Sequence, residues 1–123
     1  MAVVGAHLTG QPLNHQLTDR AARRVCTTTT AAEYHLFSLE TFPPKPGLVR
    51  VATAGSPIEV EVWELPPIGF ADFVATIPPP MVVGSVKLRD GTSVVGFLCE
   101  PIAIQGAENI TAYGGWRAYL ADR

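Results

Sequence analysis

The loop at residues 5–10 carries the side chain best suited to acid–base chemistry in this sequence. Gly5 and Gly10 bracket His7, directly after a short apolar run. Histidine titrates near neutral pH, and at the end of a strand it is well placed to act as a general acid or base. The alternative is a structural histidine whose ring is held by a carbonyl. The residues alone leave both interpretations open.

Glu61 is the carboxylate best placed to assist a proton transfer. Residues 58–65 alternate in the manner of a strand, which puts Glu61 on the same face as Trp63. If that face lines a cavity, desolvation raises the pKa of Glu61 into a range useful for catalysis. If the face meets solvent, Glu59 and Glu61 form an ordinary polar stripe.

Backbone and cationic groups are candidates for holding an anionic ligand. The glycine loop has neither G-x-x-x-x-G-K-S/T nor G-x-G-x-x-G, so no motif supports nucleotide binding. Its N–H groups are still suited to a carboxylate or a polarised carbonyl. Lys45 and Arg117 lie beside glycines, where either could neutralise a carboxylate, and surface charge is the alternative for each.

Composition and spacing exclude other kinds of site. His7, His15 and His35 have no metal-ligand spacing, and Cys26 and Cys99 form no CxxC pattern, so neither a metal site nor a disulfide framework is predicted. We interpret His15 and His35 as structural. No Gly-x-Ser-x-Gly motif indicates a serine hydrolase, and no cofactor is expected.

Charge and hydropathy bound the partners and the compartment. A net charge of −2 without a basic run gives no footprint for nucleic acid or a membrane surface. No apolar run approaches the ~20 residues of a membrane span, and no signal peptide is recognisable. A cytoplasmic protein without membrane contact is therefore predicted.

The predicted elements form a single α+β domain over residues 1–123, in which strands dominate. Hairpins are expected around residues 31–32 and at the Asp90-Gly91 pair. A central helix begins at Pro66-Pro67, and a short helical segment closes the chain. Strands are predicted at 2–6, 25–30, 33–39, 48–53, 58–65, 81–88 and 93–99. The expected architecture is a small mixed β-barrel, closed or nearly closed.

Six segments follow one another over nearly the whole chain and form a specific pattern together. They are VVGAHLTGQPLN (3–14), EYHLF (33–37), PPKPGL (43–48), VEVWELP (60–66), GFLCEP (96–101) and ITAYGGWR (110–117). In this order they resemble the C-terminal domain of allophanate hydrolase.

The resemblance implies a fold of the γ-glutamylcyclotransferase-like type, in which the first strand leads into a Tyr-Gly-Ser-Leu substrate loop. Only Gly5 of that motif is kept, in residues 4–7. The glutamate base of cyclotransferases has no counterpart in residues 75–81. The resemblance therefore implies a reaction other than glutamyl cyclisation. The amidase part of allophanate hydrolase has no counterpart either, so a stand-alone form of the domain is expected.

The reaction implied by the resemblance is decarboxylation of N-carboxycarbamate, or of a similar small carboxylated amide, in urea and allophanate breakdown. His7 would supply or relay the proton when carbon dioxide leaves, with Glu61 as the second catalytic candidate. The residues expected to hold the substrate are Gly5, Ala6, Leu8, Lys45, Pro46, Gly47 and Tyr113.

Two other functions remain open at this point. One is a non-catalytic module that binds a separate amidase, and the other is a cyclotransferase-like enzyme with a relocated base and a small amide substrate. The expected partners are a small carboxylate or amide substrate, a separate amidase subunit and a second copy of the chain in a homodimer.

Overall fold

Eight strands and three helices make up the computed structural model, which describes residues 1–123. The predicted α+β class is confirmed, and no helix is long and apolar enough to span a membrane. The strands are β1 (Ala2–Val3), β2 (Arg23–Thr29), β3 (Tyr34–Leu39), β4 (Lys45–Arg50), β5 (Glu59–Glu64), β6 (Met81–Lys87), β7 (Ser93–Cys99) and β8 (Glu108–Asn109). The helices are α1 (His15–Thr18), α2 (Pro67–Ala75) and α3 (Trp116–Ala121), with 3-10 turns at Pro101–Ile104 and Thr111–Tyr113.

The shortest strand of the larger sheet lies at its centre. Five strands follow the order β2-β5-β1-β7-β6, and β1 pairs antiparallel with β5 and parallel with β7. Ala2 and Val3 are fully buried, and a Cβ on Gly96 of β7 would lie only 2.9 Å from the Ala2 carbonyl oxygen. The chain therefore leaves the middle of the sheet directly into the loop that carries His7.

The smaller sheet has the order β4-β3-β8 and packs against the first. A Cβ on Gly47 in β4 would lie 2.7 Å from the Cys99 Sγ in β7. A Cβ on Gly5 would overlap the Pro46 ring. Only glycine fits at these contacts, and the Gly5 contact fixes the loop after β1 against the beginning of β4.

The predicted hairpin around residues 31–32 is wrong. β2 pairs with β5, whereas β3 pairs with β4. At Thr30 the chain passes from one sheet to the other, because the Thr30 N–H donates to the Ile58 carbonyl and the Ala31 N–H to the Lys87 carbonyl. These bonds use the backbone groups that a hairpin would have paired.

The predicted closed barrel is not formed by the hydrogen bonding. The two sheets have separate ladders, and an isolated bridge from Thr30 to Leu88 joins the two ends of the larger sheet's strand order. The β2 ladder ends where the chain passes to the second sheet. The first and last strands of the larger sheet are therefore joined by this one bridge and not by a continuous ladder.

Local predictions hold where they rest on local chemistry. Helix α2 begins at Pro67, where the missing N–H of proline has no helical partner to lose. In the β6–β7 hairpin the Asp90 carboxylate accepts the Thr92 N–H at 2.9 Å, and Gly91 has a φ of +89°. The predicted short C-terminal helix is α3. Strand β4 begins at Lys45, earlier than predicted, because Pro46 is tolerated in an edge strand.

Candidate active site

The backbone around His7 is held by bonds within its own loop. The Leu8 N–H donates to the Gly5 carbonyl at 2.9 Å, and the Leu13 N–H donates to the Ala6 carbonyl at 2.8 Å. The Asn14 side-chain amide donates to the His7 carbonyl at 2.9 Å. The histidine therefore stands on a fixed turn rather than on a free loop.

The imidazole of His7 lies between two aromatic rings. It stacks on Phe97 with centroids 5.0 Å apart and planes 10° from parallel, and it meets Phe73 edge-on at 5.1 Å. Only 7% of the residue is exposed. Burial lowers the pKa of His7 below 6.5, and the positive charge of Lys45 lowers it further, against a hydrogen bond to Gln16 that raises it. His7 is therefore neutral at neutral pH.

One ring nitrogen of His7 is bonded and the other is free. Nε2 lies 2.8 Å from the Gln16 Oε1, and a carbonyl oxygen can only accept, so Nε2 carries the proton. Nδ1 has no protein partner. Since every fully buried side-chain nitrogen or oxygen atom in the structure has one, Nδ1 is open to solvent. It is the basic nitrogen of the site.

Lys45 brings an ammonium group without a counter-ion. The residue is 7% exposed, no carboxylate lies within 4.0 Å of Nζ, and its only partner is the Pro43 carbonyl at 3.5 Å. Burial removes water from the ammonium and thereby lowers the pKa of Lys45. Buried charges in proteins are normally paired, so the Lys45 ammonium is suited to an anion that comes from outside.

His7 and Lys45 line one cleft of about 210 Å³, which we call the His7 cleft. They also share an adjoining hollow of about 20 Å³ with Gly5, Ala6 and Pro46. A water molecule occupies about 30 Å³ of the liquid, so a cleft of this size suits a small molecule. The remaining lining residues of the cleft are Leu13, Gln16, Phe42, Pro43, Thr76, Ile77, Pro78, Met81 and Phe97.

Five of the predicted site residues come together at this place, namely His7, Gly5, Ala6, Lys45 and Pro46. The structure does not bring the others there. Leu8 is fully buried in the core, and Gly47 faces Cys99. Tyr113 lies outside the cleft and bonds to Asp122 through its hydroxyl at 3.0 Å.

Glu61 lies in a cluster of its own, which we call the Glu61 clamp (Glu61, Thr9, Trp63 and Arg117). Its Oε1 accepts the Thr9 N–H at 2.9 Å, the Thr9 hydroxyl at 3.0 Å and the Trp63 indole N–H at 3.1 Å. Its Oε2 accepts from the Arg117 guanidinium at 2.8 Å.

Glu61 fits neither alternative from the sequence, because it is buried and yet its pKa is lowered rather than raised. Burial by itself raises the pKa of this carboxyl, which is 1% exposed. The donors from Thr9, Arg117 and Trp63 outweigh burial and hold the pKa below its usual range. Arg117 also donates to the Thr9 carbonyl at 2.7 Å, so the clamp ties the far end of the His7 loop to β5 and α3. Arg117 is thus not free to neutralise a ligand.

Three residues of the site have no individual sequence signal. Phe73 belongs to the apolar stripe of α2, and Phe97 is an ordinary strand residue, yet both contact His7. Gln16 is a polar residue in a polar turn. The only pointer to it is its position one turn after the glycine loop, and only the folded chain shows that it bonds the histidine.

The fold and the His7 cleft together define a small α+β domain with a neutral, buried histidine and an unpaired ammonium facing one small space. The model of the allophanate hydrolase C-terminal domain matches residues 1–121, and the chain belongs to that family. The family predicted from the sequence is thereby confirmed.

Similar proteins extend the comparison. Urea amidolyase of Saccharomyces cerevisiae is 45% identical over 125 residues, which cover 98% of this chain and 7% of that protein. The solved allophanate hydrolase of Kluyveromyces lactis matches with a TM-score of 0.95 and 41% identity, covering 98% of this chain and 21% of that one. A uropathogenic E. coli-specific protein matches with a TM-score of 0.91 and 34% identity, covering 99% and 94%. This chain therefore spans a small part of the curated relative's length.

Proposed function

We propose that this domain decarboxylates a small N-carboxylated amide, with N-carboxycarbamate as the substrate, in the breakdown of urea through allophanate. One observation carries the proposal: the unpaired Lys45 ammonium and the buried, neutral His7 face one small cleft. Membership of the allophanate hydrolase C-terminal domain family supports the choice of pathway.

Lys45 binds the carboxylate that stays on the substrate. In the folded domain its ammonium is buried and has a carbonyl oxygen at 3.5 Å as its only partner, without a counter-ion. A substrate carboxylate supplies that counter-ion in a charge-assisted hydrogen bond, about twice as strong as a neutral one. Substrate binding therefore offsets the unfavourable desolvation free energy of the Lys45 ammonium in the folded domain.

His7 supplies the proton for the departing carbon dioxide. N-Carboxycarbamate has two carboxylates on one nitrogen. In the step, one C–N bond breaks, its electron pair goes to the nitrogen, and the nitrogen takes a proton from the His7 imidazolium, which leaves carbamate, carbon dioxide and neutral His7. The dianion raises the pKa of His7 by placing negative charge beside it, so the substrate promotes formation of the acid that it needs.

The apolar walls of the His7 cleft favour the conversion of a charged substrate carboxylate into neutral carbon dioxide. Phe97 and Met81 line the cleft, and Phe73 covers the imidazole edge. A carboxylate placed against such walls loses hydration, whereas neutral carbon dioxide does not need it.

To test the proposal, the unstable substrate is generated in the reaction mixture. Allophanate is mixed with the amidase domain of an allophanate hydrolase, and carbon dioxide release is followed with and without this chain. We expect the chain to accelerate release, and His7→Asn to reduce that acceleration by about 100-fold, as removal of a general acid does.

His35→Asn is the matched control, because His35 bonds the Ala54 carbonyl at 2.9 Å and lies outside the cleft. It should leave the rate unchanged. Equal rates for the wild-type and His7→Asn chains, both folded by circular dichroism, would exclude the proposal.

A docking module for an amidase is the second candidate, favoured by one observation. The Phe42 side chain is 99% exposed where it borders the cleft. A partner that delivers substrate would cover such a ring. The test is calorimetric titration with the amidase domain at two temperatures, because burial of an apolar ring can give no heat at one of them. Phe42→Ser should weaken binding, and the absence of heat at both temperatures with the wild-type chains would rule this candidate out.

A further inference from the structure

The contact between Gln16 and His7 decides which nitrogen of the imidazole can react. Stacking on Phe97 and edge contact with Phe73 fix the plane of the ring. They do not distinguish the two nitrogens, because turning the ring over by 180° leaves it in the same plane. The hydrogen bond from Nε2 to the Gln16 Oε1 at 2.8 Å is the contact that removes this ambiguity.

Gln16 is itself firmly held. Its N–H donates to the Leu13 carbonyl at 3.0 Å, and its carbonyl accepts from the Arg20 guanidinium at 2.9 Å. Arg20 is in turn paired with Asp72 on α2 at 2.7 Å. The side-chain amide, by contrast, has His7 as its one hydrogen-bond partner in the protein. The backbone of Gln16 is therefore fixed beside His7, and the imidazole is the only protein group that its side-chain amide bonds.

We propose that Gln16 is a positioning residue that keeps the proton on Nε2 and turns Nδ1 to the substrate as the atom that exchanges protons. The Nε2–H bond to Gln16 stays intact through the reaction. In the step given above, the proton that moves to the substrate nitrogen leaves from Nδ1. This role rests on the proposed decarboxylation for its consequence, but the position of the proton can be measured without turnover.

The first experiment is nitrogen-15 NMR of the histidine rings at a pH above the titration of His7. In the wild-type chain we expect one neutral tautomer, with Nε2 protonated, Nδ1 unprotonated and a ring N–H that exchanges slowly with water. Gln16→Met keeps the side-chain length and removes the acceptor. It should give a mixture of both tautomers and a fast-exchanging N–H. A single unchanged tautomer in Gln16→Met overturns the proposal, as does an Nδ1–H tautomer in the wild-type chain.

Gln16→Glu keeps the acceptor and adds a negative charge. It should retain the Nε2–H tautomer and raise the pKa of His7 by about one pKa unit or more, as an adjacent opposite charge does. Gln105→Glu is the control, because Gln105 lies outside the His7 cleft. An unshifted His7 titration in a folded Gln16→Glu chain contradicts the contact on which the proposal stands.

Turnover adds a readout that simple destabilisation would not produce. Gln16→Met should lower kcat about tenfold, the smaller of the losses seen when the partner that orients a metal-ligating histidine is removed. KM should stay unchanged because Lys45 is intact. Gln16→Glu should restore kcat and extend activity to higher pH. A raised KM with unchanged kcat in Gln16→Met would overturn the positioning role. If no chain decarboxylates, the proposed function fails while the NMR result still decides the role of Gln16.

Discussion

The Glu61 clamp and the His7 cleft lie on two sides of the His7 loop, and they differ in whether a buried charged group has bonding partners. In the Glu61 clamp, a carboxylate that is 1% exposed has four donors within 3.1 Å. In the His7 cleft, a lysine that is 7% exposed has one carbonyl at 3.5 Å and no carboxylate. A satisfied buried charge holds structure together, whereas an unsatisfied one is costly until a ligand arrives. The difference separates the support of this loop from its candidate site.

Breaking the clamp should give the largest loss of stability. Glu61→Leu leaves the Trp63 N–H and the Thr9 groups without an acceptor and removes one of the two carboxylates that pair with Arg117, the other being Glu59. We expect the free energy of unfolding in urea to fall by about 3 kcal/mol, as when one partner of a buried ion pair is removed. Glu64→Leu is the control, because its pair with Arg23 is exposed on both sides. Equal losses in the two variants would contradict the comparison.

Displacing the His7 loop from β4 tests whether the packing of this loop is coupled to the activity of the His7 cleft. Gly5→Ala places a Cβ into the Pro46 ring, and the resulting strain should cost about 1–3 kcal/mol. Because this contact joins the His7 loop to the strand that begins with Lys45, decarboxylation should fall as well. In the control Gly84→Ala, the nearest atom to the new Cβ is the end of Leu98 at 3.1 Å. Activity retained in a destabilised Gly5→Ala chain would show that the contact does not position the site.

Removing the unpaired charge should separate stability from binding. Lys45→Met keeps most of the volume and abolishes a desolvated ammonium, so we expect stability to rise by about 1 kcal/mol, in line with replacements of buried charges by apolar residues. KM for the anionic substrate should rise at least about tenfold, which corresponds to 1.4 kcal/mol of lost binding. Lys87→Met breaks a half-buried pair with Glu33, which keeps its pair with Arg50, and should change neither. An unstable Lys45→Met chain would mean that the ammonium supports the fold.

Acid titration should show the smallest effect, and the two sides should respond in different pH ranges. Burial lowers the pKa of His7 below 6.5, so its contribution to stability is complete above pH 6.5 and is lost as the pH falls through the lower folded value. Despite burial, the pKa of Glu61 is also lowered, and its contribution is lost only as the pH falls below 4.5.

The measurement is the free energy of unfolding as a function of pH. His7→Asn should remove the decline that begins just below pH 6.5 and leave the later one in place. A wild-type curve that is flat between pH 6.5 and 4.5 would argue against a buried, neutral His7.

Much of the local structure could be predicted because it rests on neighbouring residues. The start of α2 follows from the absent N–H of Pro67, and the β6–β7 hairpin follows from Asp90-Gly91. The same local logic predicts a hairpin at residues 31–32, and this is wrong, because the Thr30 N–H bonds Ile58, just before β5, and the Ala31 N–H bonds Lys87 of β6. Local pattern indicates that a strand exists and says little about its neighbour.

The candidate site also has some features that the sequence predicts and others that only the folded chain shows. The sequence by itself identifies His7 as the acid–base residue of the loop, because glycines and a strand end surround it. It also determines the family, because six motifs recur in order. Only the tertiary structure decides that Lys45 is unpaired, that Glu61 is fully bonded and that Gln16 holds His7. The physical reason is that the state of a buried charge depends on which distant groups pack around it, and Glu61 and Thr9 meet across 52 positions of sequence.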